Sequence, residues 1–383
     1  MRVCVVTETY FPQVNGVSRT LGQLVRHLND RGDVVQLIHP DYGETVGRNT
    51  HLVRAVSPPF YQELHLPVPP FAAVHRAIDA FEPDVVHIAT EATLGLSVLR
   101  HVGRKRIPAV SSFHTNFDQY SAHYRVGFTG GLIWRYLRWF HNQTMETFVP
   151  SRATFRALEA RDFERLVLWP RGVDGALFRP DRPGRHKVRA ALDFEPAAIV
   201  VAYVGRIAGE KNIGYLSEAL ALVERERPAA RLLFVGDGPA RPALEQRMSA
   251  HARFVGYQTG EDLADHYAAA DLFAFSSLTE TFGNVVLEAM ASGLPVVALR
   301  AGGVGDTVRP GETGLLIEPS APPSEFAEAL LLLIDDHDLR RRYSRSARTY
   351  ALSQSWDEIM GDLRDRYQFV IESSSAGTTV TFS

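Results

Sequence analysis

Residues Ser276 to Ala298 read SSLTETFGNVVLEAMASGLPVVA, and this stretch joins two apolar runs, DLFAFSS and LPVVALR. Short continuous apolar runs are typical of strands that are buried on both faces of a parallel sheet. The segment NVVLEAMASG between them fits a helix that follows a turn containing Gly283. Ligands of such sheets bind beyond the carboxyl ends of the strands, so functional residues are expected in this turn.

The same alternation extends over the rest of the 383-residue chain. The C-terminal half contains the strand-like runs IVVAYVG, ARLLFVGDG, ARFVGY, DLFAFSS, LPVVALR and TGLLIEP. The N-terminal half contains RVCVVTE, VVQLIHP, HLVRAV, DVVHIAT and AVSSFH, with helical patterns such as SRTLGQLVRHLNDRG between them. We therefore expect an α/β protein with two doubly wound, Rossmann-like domains. If these domains face each other, the cleft between them is the expected ligand site.

A segment rich in glycine, proline and charge, RGVDGALFRPDRPGR, separates the two series. Such a composition is typical of a linker, and we place the N-terminal domain at residues 1–178 and the C-terminal domain at 179–355. The amphipathic segment WDEIMGDLRDRYQFVIE then predicts a helix over 356–372, which we expect to pack back on the N-terminal domain. Residues 373–383 show no helical pattern and are expected to form a disordered tail.

The composition excludes several classes of protein. The chain is 45% hydrophobic and 22% charged with a net charge of −3, which gives no overall electrostatic reason to bind nucleic acid. The only cysteine, Cys4, lies in the apolar run VCVV and is expected in the core, which fits a reducing compartment. We find no signal peptide and no apolar run of the roughly 18 residues that a transmembrane helix needs, and we expect a cytoplasmic protein.

Two residues that follow N-terminal strands are candidates for ligand contacts. Gly16, in FPQVNGVSRT, comes just before a predicted helix. A glycine there lets the backbone approach a ligand, and the helix N-terminus favours an anion. His114 follows AVSS, and an imidazole at a strand end can donate to a sugar hydroxyl or to a developing charge. A simple turn glycine and a structural histidine are the alternatives.

Two cations follow the first strand of the second series. Arg206 and Lys211 lie in RIAGEKN, directly after VVAYVG. One planar guanidinium and one compact ammonium beside a helix start form a suitable clamp for a diphosphate. Two solvated surface cations are the alternative, and their position after a buried strand favours the clamp.

Two acids flank the TFG turn. Glu280 precedes the turn, and Glu288 lies one helical turn beyond Asn284. Carboxylates accept hydrogen bonds from the hydroxyls of a sugar or ribose, so the two acids can contact different parts of one extended ligand. The amides of Gly283, Asn284 and Val285 are expected at a helix N-terminus beside that ligand. A metal pair is disfavoured because no His or Asp cluster accompanies the acids. A solvated acid and a helix-surface acid are a further alternative.

At these positions the chain resembles a known family. The run from Glu280 to Glu288 is similar to the Glu-x7-Glu motif of family 4 retaining glycosyltransferases, which have the GT-B fold. The stretches FPQVNGVSRT, SSFHTNFDQY, GRIAGEKN, VGDGP and EAMASGLPVVA extend the likeness over most of the chain. Within the family, LWPRGVDGALFRP is similar to the interdomain segment of bacterial glycolipid mannosyltransferases and sulfoquinovosyl lipid synthases.

The resemblance implies a role for each matched position. Arg206 and Lys211 match the diphosphate clamp, and Glu288 matches the acid that binds the nucleotide ribose. Glu280 matches the acid near the hydroxyls of the transferred sugar, and His114 matches the histidine near the reacting carbon. Catalytic roles are thus implied for His114, Glu280, Arg206 and Lys211. Further donor contacts are implied for the loop glycine Gly16, for the base-proximal Val255 and Tyr257, and for Phe282, Gly283, Asn284 and Val285.

The resemblance also implies an activity. It implies transfer of a hexose, mannose from GDP-mannose, to a hydroxyl of a lipid or glycan acceptor, with retention at the anomeric carbon. No metal and no other cofactor are expected, because Arg206, Lys211 and helix N-termini compensate the charge of the leaving group. A UDP-sugar-dependent glucosyl- or sulfoquinovosyl-type transferase remains open, as does a non-catalytic protein that binds a sugar nucleotide.

The segment YRVGFTGGLIWRYLRWFHNQ, from Tyr124 to Gln143, interleaves aromatic and aliphatic residues with Arg125, Arg135 and Arg138. One interpretation is a core helix whose arginines pair or reach solvent along their aliphatic stems. The other is an interfacial helix with its arginines towards anionic lipid headgroups, which would make the protein peripheral on the inner membrane face.

Overall fold

A computed structural model describes residues 1–13, 15–43, 47, 49–56, 65–114, 129–248 and 251–376, with the backbone alone at 129 and 130. These residues form two compact units. The N-terminal unit contains the described residues up to 170 and from 357 onward, and the C-terminal unit is Arg171–Trp356. The chain therefore enters the C-terminal unit at Arg171, whereas the sequence places that boundary after 178.

The earlier boundary has a physical reason in hydrogen bonds made by the first residues of the C-terminal unit. The amide of Val173 donates to the carbonyl of Gln354 at 2.9 Å. The guanidinium of Arg348 donates to the carbonyl of Gly175 at 3.0 Å. Phe178 then lies in the hydrophobic core of the same unit. The segment that looks like a linker in sequence is thus anchored to the C-terminal unit.

The strands are short and follow the apolar runs of the sequence. In chain order they are β1 Arg2–Val6, β2 Val34–Pro40, β3 Thr50–Val53, β4 Ala55–Val56, β5 Leu66–Pro67, β6 Val85–Ile88, β7 Ala109–Ser112, β8 Thr147–Val149, β9 Leu166–Leu168, β10 Val200–Val204, β11 Arg231–Val235, β12 Ala252–Phe254, β13 Leu272–Phe275, β14 Val296–Leu299 and β15 Gly314–Ile317. Each unit holds one parallel sheet, in the order β3-β2-β1-β6-β7-β8-β9 and β12-β11-β10-β13-β14-β15.

Helices connect these strands, as expected for parallel crossovers. They are α1 Gly16–Asp30, α2 Ala72–Phe81, α3 Thr93–Lys105, α4 Thr129–Asn142, α5 Arg152–Glu159, α6 Gly184–Ala191, α7 Ile213–Glu226, α8 Arg241–Arg247, α9 Gly260–Ala269, α10 Asn284–Ala291, α11 Val304–Thr307, α12 Pro323–Asp335, α13 His337–Leu352 and α14 Trp356–Ser375. A 3₁₀ turn at Gly209–Lys211 precedes α7. The predicted pair of doubly wound α/β domains is confirmed.

Each sheet has a point at which the strand order reverses. In the N-terminal sheet the reversal lies between β1 and β6, and in the C-terminal sheet it lies between β10 and β13. Loops that leave neighbouring strands in opposite directions open a crevice at such a point, and ligands of α/β sheets bind there. In the C-terminal unit, the loops concerned carry Arg206, Lys211 and Glu280.

Strand β1 shows how the sequence produces the N-terminal core. Cys4 and Val6 are fully buried and share a core cluster with Ile78 of α2 and Val98 of α3. The thiol of Cys4 lies in that apolar cluster, as expected, and burial raises its pKa. Strands β8 and β9 were missed in the sequence, because three-residue strands carry too few apolar residues to be distinguished from a loop.

Helix α14 belongs to the N-terminal unit from residue 357 onward. Its Arg364 donates from Nε to Oδ2 of Asp33 at 2.6 Å, and Arg366 pairs with Glu146. The hydroxyl of Tyr367 reaches the buried ring of His87 on β6 at 2.5 Å. The helix extends to Ser375, so the prediction of a tail from 373 was wrong for residues 373–375. Residue 376 forms a turn after the helix, and residues 377–383 of the predicted tail lie outside the described residues.

Candidate active site

Two of the residues predicted for a ligand in the C-terminal unit, Lys211 and Glu280, form an ion pair. Nζ of Lys211 lies 2.5 Å from Oε1 of Glu280, and each side chain is less than one fifth exposed. Lys211 ends the 3₁₀ turn after β10, and Glu280 lies in the loop after β13. The two loops come from the strands that flank the reversal of strand order, which explains why residues 69 positions apart are neighbours. A lysine ammonium carries three donors, so the contact with Glu280 does not exhaust it.

Hydrogen bonds hold these two loops together beneath the ion pair. The hydroxyl of the fully buried Ser276 donates to the carbonyl of Lys211 at 2.9 Å and lies 3.2 Å from the carbonyl of Asn212. The hydroxyl of Thr279 lies 3.4 Å from the carbonyl of Glu210. The position of the ammonium is therefore set by the backbone of both loops, and an ion pair that is fixed in this way loses less entropy when a ligand joins it.

Arg206 lies on the same loop, with its side chain about half exposed and 3.5 Å from Oε1 of Glu210. The hydroxyl of Tyr203 donates to the carbonyl of Arg206 at 2.9 Å and so fixes the start of the loop. Burial raises the pKa of Tyr203 well above its ordinary value, and the nearby carboxylates of Glu280 and Glu210 raise it further. The hydroxyl consequently stays protonated as a donor. Sequence reasoning missed Tyr203, because it lies inside the apolar run of β10.

Two glycines shape the loop that carries Glu280. Gly283 has a φ of 87° and is the N-cap residue of α10. It offers no side-chain acceptor to the amides of Asn284 and Val285, which therefore remain able to bind an anion, whereas the amide of Val286 donates to the carbonyl of Gly283 at 2.9 Å. Gly302, with a φ of 50°, approaches so closely that a Cβ there would lie 2.1 Å from the carbonyl oxygen of Glu280. The amide of Gly303 donates to that same carbonyl at 2.9 Å. The loop at 301–303 thus packs against the backbone of Glu280 and fixes its position.

The second acid, Glu288, is held by a hydrogen bond from a buried tyrosine. Glu288 is buried, and its Oε2 accepts a hydrogen bond from the hydroxyl of Tyr267 at 3.1 Å. That hydroxyl also lies 3.1 Å from the carbonyl of Val285. In the described part of the chain no donor reaches the buried Oδ1 of Asn284. An unpaired buried acceptor is unfavourable, so a ligand hydroxyl at this position would remove a cost. Phe282 is buried beside the core of the unit.

The segment predicted to contact the base follows β12. Val255 donates its amide to the carbonyl of Phe234 at 3.1 Å and so continues the sheet. Tyr257 is 65% exposed, and its hydroxyl donates to the carbonyl of Asp237 in the loop after β11. An aromatic face held at a strand end in this way is suitable for stacking. Within the C-terminal unit, Arg206, Lys211, Glu280 and Tyr257 thus lie in loops that follow strands, and Glu288 lies on helix α10, which begins after the loop of Glu280.

The N-terminal unit carries the other predicted residues. Gly16 is the first residue of α1, whose N-cap residue Asn15 accepts a hydrogen bond from the amide of Ser18 through its side chain. His114 follows β7, and its Nε2 lies 2.8 Å from the hydroxyl of Ser112. Its ring packs edge-on against Trp169 with the ring centroids 5.9 Å apart.

One further acid in the N-terminal unit escaped sequence reasoning. Glu8 follows β1, and its Oε1 accepts a hydrogen bond from the amide of Leu94 in the first turn of α3 at 2.7 Å. Burial raises the pKa of Glu8 to about 7, although the amide of Leu94 opposes that shift. An acid so close to an apolar strand looks like a strand terminator in sequence.

The described residues offer neither a metal-binding cluster nor a membrane-spanning helix. They contain no group of three or more His, Cys, Asp or Glu side chains that could hold a metal ion. No helix within the described ranges is long and apolar enough to cross a membrane.

Comparison with known proteins covers both units. A family model described as Glycosyltransferase Family 4 matches residues 14–176, and one described as Glycosyl transferases group 1 matches residues 198–336. The chain is 36% identical to the GDP-mannose-dependent alpha-mannosyltransferase of Mycobacterium tuberculosis, over 97% of each chain. It is 32% identical to the sulfoquinovosyl transferase SQD2 of Arabidopsis thaliana, over 93% of this chain and 71% of that protein.

The chain belongs to glycosyltransferase family 4. This glycosyltransferase has the GT-B fold. It aligns with Anabaena Alr3699/HepE in complex with UDP at a TM-score of 0.79 and 21% identity, over 96% of this chain and 100% of that chain. It aligns with the sucrose-phosphate synthase of Thermosynechococcus elongatus at a TM-score of 0.77 and 22% identity, over 97% and 99%. At these identities the likeness shows the fold.

The group 1 match contains every residue of the glycosyltransferase that the structure positions around the Lys211–Glu280 pair. The family 4 match contains Gly16 and His114. Among the residues that sequence reasoning missed, Tyr203 and Tyr267 donate hydrogen bonds to Arg206 and Glu288, and Glu8 accepts one from the first turn of α3. Their only signal in the sequence is a polar atom in an apolar context, which is also typical of ordinary core residues.

Proposed function

We propose that this glycosyltransferase transfers mannose from GDP-mannose to a hydroxyl of a glycolipid, with retention at the anomeric carbon and without a metal ion. The observation that carries the proposal is the Lys211–Glu280 pair, which joins a cation and an acid at the strand-order reversal of the C-terminal sheet. The donor is supported by relatives from Mycobacterium tuberculosis and Mycolicibacterium smegmatis that are named GDP-mannose-dependent alpha-mannosyltransferases, at 36% and 34% identity.

In the proposed reaction, Lys211 and Arg206 stabilise the leaving group. Cleavage of the bond between the sugar and the diphosphate leaves a growing negative charge on the leaving phosphate. Lys211, Arg206 and the first amides of α10 stabilise that charge, because cations and amide dipoles interact more strongly with the leaving group as the charge develops. Arg206, being half exposed, can rotate onto the diphosphate, whereas Lys211 is already held in place.

The acids orient the two ends of the donor. Glu288 accepts hydrogen bonds from the ribose hydroxyls, since its carboxylate is fixed by Tyr267 and has further acceptor capacity. Glu280 and Oδ1 of Asn284 accept hydrogen bonds from hydroxyls of the transferred sugar. His114 donates to the sugar near the reacting carbon, and the leaving phosphate accepts the proton of the acceptor hydroxyl as the new bond forms on the same face.

A donor screen tests the proposal. The purified protein is incubated with GDP-mannose, UDP-glucose or UDP-sulfoquinovose and a membrane lipid extract, and the products are identified by mass spectrometry. We expect a gain of one hexose on a lipid with GDP-mannose only, together with release of GDP. Transfer from a UDP-sugar alone would replace the proposed donor by a sulfoquinovosyl- or glucosyl-type donor.

Two additions to the same assay examine the stereochemistry and the metal. The anomeric configuration of the product is determined from its one-bond carbon–hydrogen coupling, and we expect the α-anomer. Transfer is repeated with EDTA, and we expect an unchanged rate because the clamp compensates the leaving charge without a divalent ion. A β-product or loss of activity with EDTA would contradict the respective part of the proposal.

A lipid acceptor also requires access to a membrane surface, and helix α4 is our candidate for that contact. Leu132, Arg135 and Trp139 are exposed and lie on one face at helical spacing, with Leu132 49% and Trp139 37% exposed. On the other face Leu137 and Phe140 are buried. The core interpretation fits the buried face, and the interfacial interpretation is our proposal for the exposed face. Residues 124–128 of the segment, including Arg125, lie outside the described residues.

The exposed face continues into a basic pocket of about 400 Å³ that is lined by Gly131, Trp134, Arg135, Arg138, Arg161 and Asp162. The guanidinium of Arg161 stacks on Trp134 at 4.3 Å. Arg138 is paired with Asp162 at 3.0 Å, which leaves the other two arginines of the pocket as an excess positive charge. Aromatic residues at the boundary and arginines near headgroups are the pattern of an interfacial helix.

Liposome cosedimentation tests the membrane contact. We expect binding to vesicles with anionic lipid, weaker binding at high salt, and loss of binding when Arg135 and Arg161 are both replaced by Glu. Arg152→Glu with Arg156→Glu, on α5 of the same unit, gives a matched change of charge away from the pocket. Equal loss of binding in both variants, or no binding to anionic vesicles at low salt, would refute the assignment to α4.

A further inference from the structure

A chain of buried hydrogen bonds runs through the N-terminal unit to His114. The hydroxyl of Tyr367 on α14 lies 2.5 Å from Nδ1 of His87 on β6. Nε2 of His87 lies 2.8 Å from the hydroxyl of Ser112 on β7, and that hydroxyl lies 2.8 Å from Nε2 of His114. Tyr367, His87 and Ser112 are fully buried. Helix α14 is thus connected to a strand-end histidine through two strands of the sheet.

The register of the sheet explains why these groups meet. His87 pairs with Val110, so Ser112, two residues further along β7, lies on the same face as His87. Phe148 pairs with Ser112 and therefore also lies on that face, where it packs against Tyr367 and His87. Ser111 lies on the opposite face, with its hydroxyl 2.8 Å from Nδ1 of His141. The two adjacent serines thus contact different histidines on opposite faces of one strand.

The chemistry of the shared serine restricts the positions of the protons. A hydroxyl has one hydrogen, so Ser112 donates to at most one imidazole, and accepting from both would leave its own hydrogen without an acceptor among the described residues. If the hydrogen bonds run from Tyr367 towards His114, the hydroxyls of Tyr367 and Ser112 and Nε2–H of His87 each have an acceptor. If they run in the opposite direction, Nδ1–H of His87 donates to Tyr367, and the tyrosine hydrogen then needs an acceptor of its own. Among the described residues, His87 is the only hydrogen-bond partner of that hydroxyl.

The opposite direction is therefore costly, because it leaves a buried donor unsatisfied. Tyr367 also retains its proton, since burial raises its pKa well above the ordinary value. Phe148 and Trp169 pack against the ring of His87.

We propose that Tyr367, His87 and Ser112 are positioning residues that hold His114 in its Nδ1–H tautomer, so that Nδ1 acts as the hydrogen-bond donor to the transferred sugar. The orientation comes from Nε2, which accepts from Ser112, and from the edge-on contact with Trp169. The tautomer of a histidine is set by the hydrogen bond that its other nitrogen makes. The part that concerns the sugar rests on the proposed function, whereas the tautomer itself does not.

Nitrogen NMR of the full chain labelled with ¹⁵N-histidine tests the tautomer at pH 8, where neutral imidazoles are expected. The signals of His114 are identified by their absence from the spectrum of His114→Gln. We expect the Nδ1–H tautomer in the wild type and a measurable Nε2–H fraction in Tyr367→Phe, because the phenyl ring no longer sets the direction of the hydrogen bonds. An Nε2–H tautomer in the wild type would overturn the proposal.

Kinetics test the positioning role. Ser112→Ala removes the link to His114, and Ser111→Ala removes a buried hydroxyl from the neighbouring position on the opposite face. With thermal stability measured for both, we expect kcat of Ser112→Ala to fall by about 10-fold and nucleotide Kd to stay within about two-fold. We expect Ser111→Ala to retain kcat. Equal kcat in the two variants would refute the positioning role.

The two readouts separate this proposal from the proposed function. If the wild type transfers no sugar from GDP-mannose, the proposed function fails while the tautomer is still measured by NMR. If the wild type is active and neither Tyr367→Phe nor Ser112→Ala changes the His114 signals, the positioning role of Tyr367 and Ser112 is refuted while the proposed function stands.

Discussion

The C-terminal unit places charged side chains at the ends of its central strands, whereas the N-terminal unit places mainly neutral hydrogen-bonding groups there. Lys211 and Glu280 are partly exposed and bridge two loops at 2.5 Å. His87 and Ser112 are fully buried within strands and lead to His114. Both arrangements occur at the carboxyl ends of parallel strands, so the fold alone does not explain the difference.

The difference follows from what each unit has to do in the proposed reaction. A diphosphate needs positive charge that can exchange one partner for another, and partly exposed ions make that exchange at low cost. A single donor to a sugar hydroxyl needs a fixed direction, and a neutral chain in the interior gives direction without the cost of burying a charge. Glu8 is an exception in the N-terminal unit, and its raised pKa of about 7 shows the cost of burying an acid there.

The largest expected effect removes the cation of the C-terminal unit. Lys211→Ala should lower kcat/KM by about 30- to 1,000-fold, which corresponds to about 2–4 kcal/mol of transition-state stabilisation. Lys187→Ala, an exposed lysine on α6 of the same unit, is the control and should leave kcat/KM unchanged. Steady-state kinetics with the donor measure both. A Lys211→Ala variant with wild-type kcat/KM would contradict the role of the charged groups of the C-terminal unit in binding the diphosphate.

The second prediction concerns the buried acid of the N-terminal unit. Glu8 has a folded-state pKa of about 7 against an ordinary value of 4.5, so the folded protein retains a proton that the unfolded chain releases. The free energy of unfolding should therefore fall as the pH rises from about 4.5 to 7, by up to about 3 kcal/mol from this group. Glu8→Gln should lose that dependence.

Denaturant unfolding of the wild type and of Glu8→Gln from pH 4 to pH 9 measures this effect as the difference between the two proteins. The difference should grow in favour of the variant through the window and stay constant above pH 7. Glu159→Gln, an exposed glutamate on α5, is the control and should follow the wild type. A constant difference at all pH values would mean that the unfolding energy does not depend on titration of Glu8.

The third prediction separates the two acids of the C-terminal unit. Glu288→Gln should weaken binding of the nucleoside diphosphate by about 10- to 150-fold, the usual range for a hydrogen bond to a charged group. Glu280→Gln should keep or slightly increase that affinity, because Lys211 loses a competing partner, while sugar transfer falls. Calorimetric titration with GDP and UDP measures the affinities. Similar losses of affinity in both variants would contradict the division between ribose and sugar.

The smallest expected effect tests the support behind Glu288. Tyr267→Phe removes the hydroxyl that donates to Glu288 and keeps the buried ring. Loss of one such hydrogen bond should weaken nucleotide binding by about five-fold, or about 1 kcal/mol. Tyr343→Phe, a buried tyrosine of the same unit, is the control. If both variants bind GDP as the wild type does, Glu288 keeps its position without the help of Tyr267.

Several features of this protein could be predicted from the sequence alone. The alternation of apolar runs and helical patterns predicted both sheets, because a strand buried on both faces requires a continuous apolar run. The position of polar residues after strands then selected Arg206, Lys211, Glu280 and His114. Strand ends are visible in a sequence, and the fold class determines that ligands bind there.

Other features depended on contacts between distant parts of the chain. The Lys211–Glu280 pair joins residues 69 positions apart, and the contact between His87 and Tyr367 spans 280 positions. Neither pairing leaves a local pattern, because each depends on strand order and register. The same is true of Gly302, whose small size matters only because the carbonyl of Glu280 lies against it.

The sequence therefore determined which residue types stand at the carboxyl ends of the strands, since local hydrophobic periodicity places each strand and its end. Only the tertiary structure decided how those residues are held. The order of the strands placed Lys211 beside Glu280. The register of β6 and β7 placed His87 and Ser112 on one face of the sheet, where Tyr367 and His114 contact them. A polar atom in an apolar run has no assigned partner until the packing of the sheet and its helices supplies one.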